Sequence, residues 1–295
     1  MRVLAAGYCT LDQIGLVERF AERGIATEMP TFSIQGGGTA ATAAVALSRW
    51  GIELSFVGKV GDDERGDLII RTVESEGVNT SAMVREAGKV SQLSFVIIET
   101  TSGVSHVYYT SGNVSPLRAE EVDDSQVDGA DLLLVDGEYP NAQLALMKSA
   151  REKGTPVLLE ANRNRQVAEE CVPHADIVVA SERAASSFTG VGDLVGICEA
   201  MLEKGPRRVV ITMGDEGAVA RDRGGEMVRV PVYDVPVVDR TGAGDIFLAA
   251  VALGCLKEWD VERLLRFANA AASLSCKGIG ARSAIPSQEE IEGLL

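Results

Sequence analysis

Short apolar runs recur at intervals along the whole chain. Residues 3–6, 54–60, 130–136, 156–160, 176–179 and 208–212 are rich in Val, Leu, Ile and Ala, with few polar residues between. A strand reads this way when both of its faces are buried. Between these runs lie segments whose apolar residues fall three and four apart: 40–50, crowded with alanine, then 66–76, closed by Gly77, and 142–153, 242–256 and 261–276. This spacing predicts helices. Buried strands alternating with helices imply an α/β fold with a mainly parallel sheet covered on both faces.

Two segments break the rhythm. Residues 27–34 and 93–109 look extended and partly alternating, carry turn residues such as 101–103, and have no helices between their members. They predict a small antiparallel lid, with strands drawn from about 13–34 and 93–112. No composition shift, repeat or linker divides the chain, so a single domain over 1–295 is expected.

Charge narrows the range of partners. The 295 residues hold 28 Lys and Arg against 43 Asp and Glu, a formal net charge of −15. Such a surface repels nucleic acid and anionic membranes, and neither is expected as a partner. An anionic ligand would have to be met by local positive potential, which backbone N–H groups at a helix N-terminus supply. The five cysteines (Cys9, Cys171, Cys198, Cys255 and Cys276) are scattered and without CxxC spacing. Reduced, buried thiols in a cytoplasmic protein are therefore expected rather than a zinc site. The N-terminal apolar run, broken at Gly7 and Asp12, reads as a first strand and not as a signal peptide.

The sharpest motif is Asp239-Arg240-Thr241-Gly242-Ala243-Gly244-Asp245, directly before an apolar helix. Glycines bring the backbone close to a ligand, and N–H groups at 242–245, with the helix dipole behind them, would form an anion hole. Asp245, in the first turn, could take the proton of an attacking hydroxyl. The plainer reading, a Gly-rich turn with a dipole-satisfying Asp, fits this motif alone about as well. A second motif, Gln35-Gly36-Gly37-Gly38-Thr39-Ala40-Ala41-Thr42, offers bare backbone and two hydroxyls to a substrate. It also satisfies the dinucleotide pattern GxGxxA, although that pattern belongs after the first strand of a βαβ unit. A third, the turn at 58–66 (GKVGDDERG), reads by itself as structural. No GxxxxGK[ST] is present, which excludes a P-loop protein.

In this order the motifs resemble the ribokinase/PfkB family of carbohydrate kinases: GGGTAATAA and GKVGDDERG near the start, DRTGAGD near the end. Residues 212–218 (TMGDEGA) are similar to the family's ATP-side turn and 269–273 to its adenine-side helix. The resemblance runs over about 1–287 and implies a three-layer α/β/α sandwich, ribokinase-like, with a β lid that often pairs two subunits. It implies transfer from ATP, with Mg2+, to a sugar hydroxyl. Asp245 matches the catalytic base, and Gly242, Ala243 and Gly244 the anion hole. Asp12, taken as the end of the first strand, matches a carboxylate that holds sugar hydroxyls, with Gly37 and Gly38 beside it. Thr212, Gly214, Gly217, Asn269 and Ser273 fall on the nucleotide side. Asp239 and Thr241 fall where many members bind a monovalent cation such as K+.

Departures are informative. Thr39 and Thr42 stand where the family usually has, or often has, Asn, and the family's Asn-x-x-Glu motif is replaced at 181–184 by SERA. Ketohexokinase-type members also lack that motif, and 136–141 (DGEYPN) is similar to theirs, so a ketose or related sugar is the expected substrate. Thr39, Thr42, Asn113 and Glu138 are candidate sugar contacts. Nucleosides and sugar phosphates remain alternative substrates, and a dinucleotide-dependent oxidoreductase or a non-catalytic sensor are rival classes. A homodimer through the lid is expected.

Overall fold

The computed structural model describes residues 1–295 apart from 103 and 164, so the last residue of the turn expected at 101–103 lies outside the described residues. The first half runs β1 (Arg2–Ala6), β2 (Thr10–Val17), β3 (Thr31–Gly37), α1 (Thr39–Arg49), β4 (Glu53–Val57), β5 (Lys59–Gly61), α2 (Glu64–Glu74), β6 (Val84–Glu86), β7 (Leu93–Glu99) and β8 (Ser105–Thr110). The second runs β9 (Leu132–Val135), α3 (Pro140–Lys153), β10 (Val157–Glu160), α4 (Arg165–Cys171), β11 (Ile177–Ser181), α5 (Glu182–Thr189), α6 (Leu194–Glu203), β12 (Arg208–Thr212), β13 (Ala218–Asp222) and β14 (Met227–Val230). Three helices close it: α7 (Ala243–Leu256), α8 (Val261–Ser275) and α9 (Gln288–Glu292).

Eight strands form the main sheet in the order β14-β13-β12-β11-β10-β9-β1-β4, parallel from β4 to β12 and antiparallel beyond. Alternate residues of each strand enter opposite cores. Val3, Ala5, Leu132, Leu134, Leu158, Ile177 and Val179 pack with α1, α7 and α8. Leu4, Ala6, Leu133, Val135, Leu159, Val178 and Ala180 pack with α3, α5 and α6. Burial on both faces is why these strands read as unbroken apolar runs. Helix α7 is buried from Ile246 through Gly254, which explains a sequence apolar all round rather than along one stripe.

The lid is a four-stranded sheet ordered β3-β2-β7-β8, in which β2 and β7 run parallel. Its inner face carries Ile14, Val96 and Ile98, all buried against the body with Ile279. Phe32, Ile34, Phe95 and Tyr108 line its outer face and are exposed. Asp12 does not end the first strand: it lies within β2, a lid strand, paired between Gln35 and Ser94. The stretch after Ala6 has no aliphatic run to mark a new strand, because Thr10, Asp12 and Gln13 take three of the first four positions of β2. Likewise the apolar run over 54–60 is two strands, β4 and β5, separated at Gly58.

Candidate active site

Strand order reverses at β1 and β9: the chain builds outward from β1 through β4 on one side and from β9 through β12 on the other. Such a switch point leaves a crevice beyond the strands' C-terminal ends. Asp136, just past β9, fills its floor and is fully buried. One carboxylate oxygen accepts from Tyr8 N at 2.8 Å and Ala40 N at 3.3 Å, the other from Glu138 N at 3.1 Å and Gln143 Nε2 at 2.9 Å. It thereby ties the β1 exit, the start of α1 and the start of α3 to one point.

On the lid side of the crevice, β3 delivers Gly37 against the buried carboxylate of Asp12, and a Cβ at Gly37 would overlap that carboxylate. Ser94 Oγ donates to Asp12 Oδ1 at 2.6 Å. Burial raises the Asp12 pKa, opposed by Ser94 and by the charge of Arg282. Gly38 caps α1 and Thr39 begins it. Thr42 is fully buried and accepts from Arg282 Nε at 3.3 Å, so its hydroxyl faces the protein interior. Asn113 is exposed and its Oδ1 accepts from Val90 N at 2.6 Å, bracing the lid's exit. Glu138 lies in the crevice wall, half-buried and ion-paired with Arg163 at 2.9 Å.

The opposite side of the crevice is the start of α7. Gly242, in the left-handed region at φ 79°, packs its Cα on Ala281, where a side chain would collide. Ala243 N donates to the Arg240 carbonyl at 3.2 Å and Asp245 N to the Gly242 carbonyl at 2.9 Å. Among the described residues this leaves the N–H groups of Gly242 and Gly244, rather than all four, without a partner for an anion. The N-termini of α1 and α7 converge here, with the Thr39 hydroxyl beside the Asp245 carboxylate. Burial, with the negative charges of Asp12 and Asp136, pushes the Asp245 pKa up to about 6, while Thr39 and Arg282 pull the other way. A carboxylate with that pKa is mostly ionised at neutral pH yet basic enough to accept a proton. Asp239 is buried and spent on bracing: Oδ1 accepts from Thr241 N and Oγ1 at 2.9 and 2.8 Å, Oδ2 from Gly280 N at 2.7 Å.

A cleft of about 320 Å³ opens beside this turn and gathers Thr212, Gly214, Gly217, Ala243, Gly244, Asn269 and Ser273. Asn269 Nδ2 donates to the Val230 and Pro231 carbonyls at 2.8 and 3.2 Å, and Ser273 Oγ accepts from Tyr233 N at 3.2 Å. These bonds hold the segment 231–238 as an apolar wall, with Val232, Tyr233, Val235 and Val237 facing the cleft. The site therefore has a polar pocket and a flat apolar groove meeting at one carboxylate and two free N–H groups. The GxGxxA segment, by contrast, follows a lid strand, so its dinucleotide context is missing. The turn at 58–66 is structural: Asp63 caps α2 and Lys59 is buried between Glu121 and Glu86.

Two residues of the crevice carry no motif in the sequence: Glu160, the last residue of β10, and Arg282, in the loop after α8. Glu160, at the end of β10, is buried and its pKa is pushed up to about 8 by burial and by Asp136.

A buried carboxylate facing two helix N-termini, at the junction of a polar pocket and an apolar groove, suits a phosphotransferase acting on an alcohol. The pfkB family carbohydrate kinase model matches residues 1–288. The chain belongs to that family and is an ATP-dependent sugar kinase. It is 30% identical to the ribokinase of Bacillus subtilis, with 99% of each chain covered. It is also 30% identical to the ATP-dependent ribose-1-phosphate kinase of Halopiger xanaduensis, over 100% of this chain and 98% of the other. A putative ribokinase from Agrobacterium tumefaciens superposes with a TM-score of 0.93 at 27% identity, covering 99% and 96%.

Proposed function

We propose that this kinase acts on a small, uncharged sugar, a ketose or a pentose, and that Asp245 is its general base. The observation that carries the reading is the charge of the sugar side. Asp12 and Glu138 line it, and carboxylates hold hydroxyls well but repel phosphate or carboxylate; Glu160, protonated at neutral pH, adds no positive charge to offset them. Its arginines are already committed, Arg163 to Glu138 and Arg282 behind the Gly36 backbone. An unphosphorylated polyol satisfies such a pocket, whereas a sugar phosphate or sugar acid leaves an anion unmatched.

The sugar would lie between Asp12, the Gly37–Gly38 backbone and Asp245, with adenine in the apolar groove. Asp245 orients the hydroxyl and takes its proton, and the Gly242 and Gly244 N–H groups face the transferring group. Mg2+ on the nucleotide phosphates supplies charge neutralisation. A potassium ion at the Asp239–Thr241 turn and a homodimer joined through the lid's exposed outer face belong to the same proposal. The exposed apolar outer face, with Phe32, Ile34, Phe95 and Tyr108, is what supports pairing.

An ADP-release assay over ketoses, aldopentoses, sugar phosphates, sugar acids and nucleosides tests the substrate. A free ketose or pentose should give the highest kcat/KM. A sugar phosphate, acid or nucleoside leading the panel would refute the pocket argument, and no turnover with any would favour a sensor. Sedimentation as a monomer at micromolar concentration would remove the dimer.

A further inference from the structure

The C-terminal loop after α8 places a guanidinium under the site. Arg282 is 5% exposed and enters no ion pair within 4.0 Å among the described residues. Its donors are spent on neutral acceptors: Nε on Thr42 Oγ1 at 3.3 Å, Nη1 on the Thr72 carbonyl at 3.3 Å and hydroxyl at 3.4 Å, Nη2 on the Gly37 carbonyl at 3.1 Å. A Cβ at Gly36 would overlap this guanidinium, so the middle of the glycine turn is shaped around it. The same loop is braced from both sides: Gln35 Nε2 donates to the Ile279 carbonyl at 2.8 Å, and Gly280 N to Asp239. Burying an arginine without a carboxylate at contact distance is costly, and the cost points to a use for the charge.

We propose that Arg282 is a positioning residue of the kinase: its buried guanidinium straps the sugar-side turn to α1 and α2 and supplies the fixed positive charge against which the Asp12 and Asp245 carboxylates sit. The need for it follows from the charges around the base. Asp245 is faced by the carboxylates of Asp12 from β2 and Asp136 from the end of β9, with the Thr39 hydroxyl from α1 and, at the end of β10, the Glu160 carboxyl, which becomes charged only near pH 8. Arg163, the other cation of the crevice, is held by Glu138. Arg282 is thus the cation that offsets the carboxylates at Asp245, and Asp12 and Asp245 both titrate lower for its presence. Its own pKa is lowered by burial to about 10, which leaves it charged throughout the working range.

This inference rests on Asp245 being the base, and the test separates the two. A base works only when deprotonated, so activity falls as pH drops through its pKa. Removing the nearby cation should move that acid limb upward. Arg282→Met, with Arg282→Gln as the variant closer in shape, should raise the acid-limb midpoint of kcat/KM by about one pH unit. Arg282→Lys should restore at least half of the shift. Near pH 9 the neutral variants should recover much of their lost rate, whereas a merely structural strap would lower the rate equally at every pH. A folded neutral variant, judged by melting and nucleotide binding, whose midpoint is unchanged overturns the proposal. Asp245→Asn in parallel decides the premise: if it retains turnover, the base assignment fails and this proposal with it. If it is inactive while the Arg282 variants keep the native midpoint, only the role of Arg282 falls.

Discussion

Replacing Asp245 by Asn removes one proton-accepting oxygen at nearly constant volume and should separate chemistry from binding and stability. A general base contributes about 10²–10⁴ in rate, so kcat should fall by that factor, about 3–5 kcal/mol of barrier. Asp245 does not line the apolar cleft beside α7, so nucleotide affinity should change less than about twofold, within the usual scatter of a silent substitution. Stability should rise. Burial lifts the Asp245 pKa from 3.8 to about 6. The folded state therefore keeps a proton that the unfolded chain has lost, and stability declines as pH climbs across that window. Two units amount to roughly 3 kcal/mol above pH 6 at most. Solvent in the cleft screens part of this, and loss of a favourable charge at a helix N-terminus removes about 0.3–1 kcal/mol more. Asp245→Asn should consequently be more stable than the native protein by on the order of 1 kcal/mol at pH 8, and by almost nothing at pH 4. Steady-state ADP release on the best sugar, nucleotide titration and melting at the two pH values read all three quantities. Turnover above about a tenth of native would refute the base assignment. Reduced stability at pH 8 would refute the account of its burial.

Other substitutions probe the rest of the site. No neighbour lies within 4 Å of a Cβ built on Gly244, which faces the cleft. Gly244→Ala should accordingly keep its melting temperature but lose nucleotide affinity and turnover; unchanged affinity would show that the phosphates pass elsewhere. Asp12→Ala should raise KM for the sugar by at least tenfold, since leaving hydroxyls unpaired costs about 1–3 kcal/mol each, and leave KM for ATP nearly unchanged. Equal weakening of both would reduce Asp12 to a brace for Ser94. Glu160, lifted from 4.5 to about 8, should cost the protein stability progressively as pH rises from about 4.5 to 8. In Glu160→Gln that decline should flatten, and an undiminished drop in melting temperature from pH 5 to pH 8 would disprove the cause.

What the sequence determined was whatever is written locally. Unbroken runs such as Leu132–Val135 and the all-round apolar α7 disclose a two-sided parallel sheet, because burial on both faces removes any need for polar positions. The turn at 239–245 discloses its own chemistry, since glycines, helix start and carboxylate lie within one stretch of chain. What the sequence could not decide is which distant groups meet. Thr42 looks like a sugar contact in the glycine motif, yet it is turned inward to Arg282, 240 positions away. Asp12 reads as the end of the first strand, because the buried polar residues Thr10 and Asp12 interrupt the apolar pattern that would mark β2. Glu160 and Arg282 carry no motif at all. Their electrostatic roles arise only where the ends of β9 and β10, the lid and the loop after α8 converge, because a charge acts through distance and burial, and neither is a property of neighbouring residues in the chain.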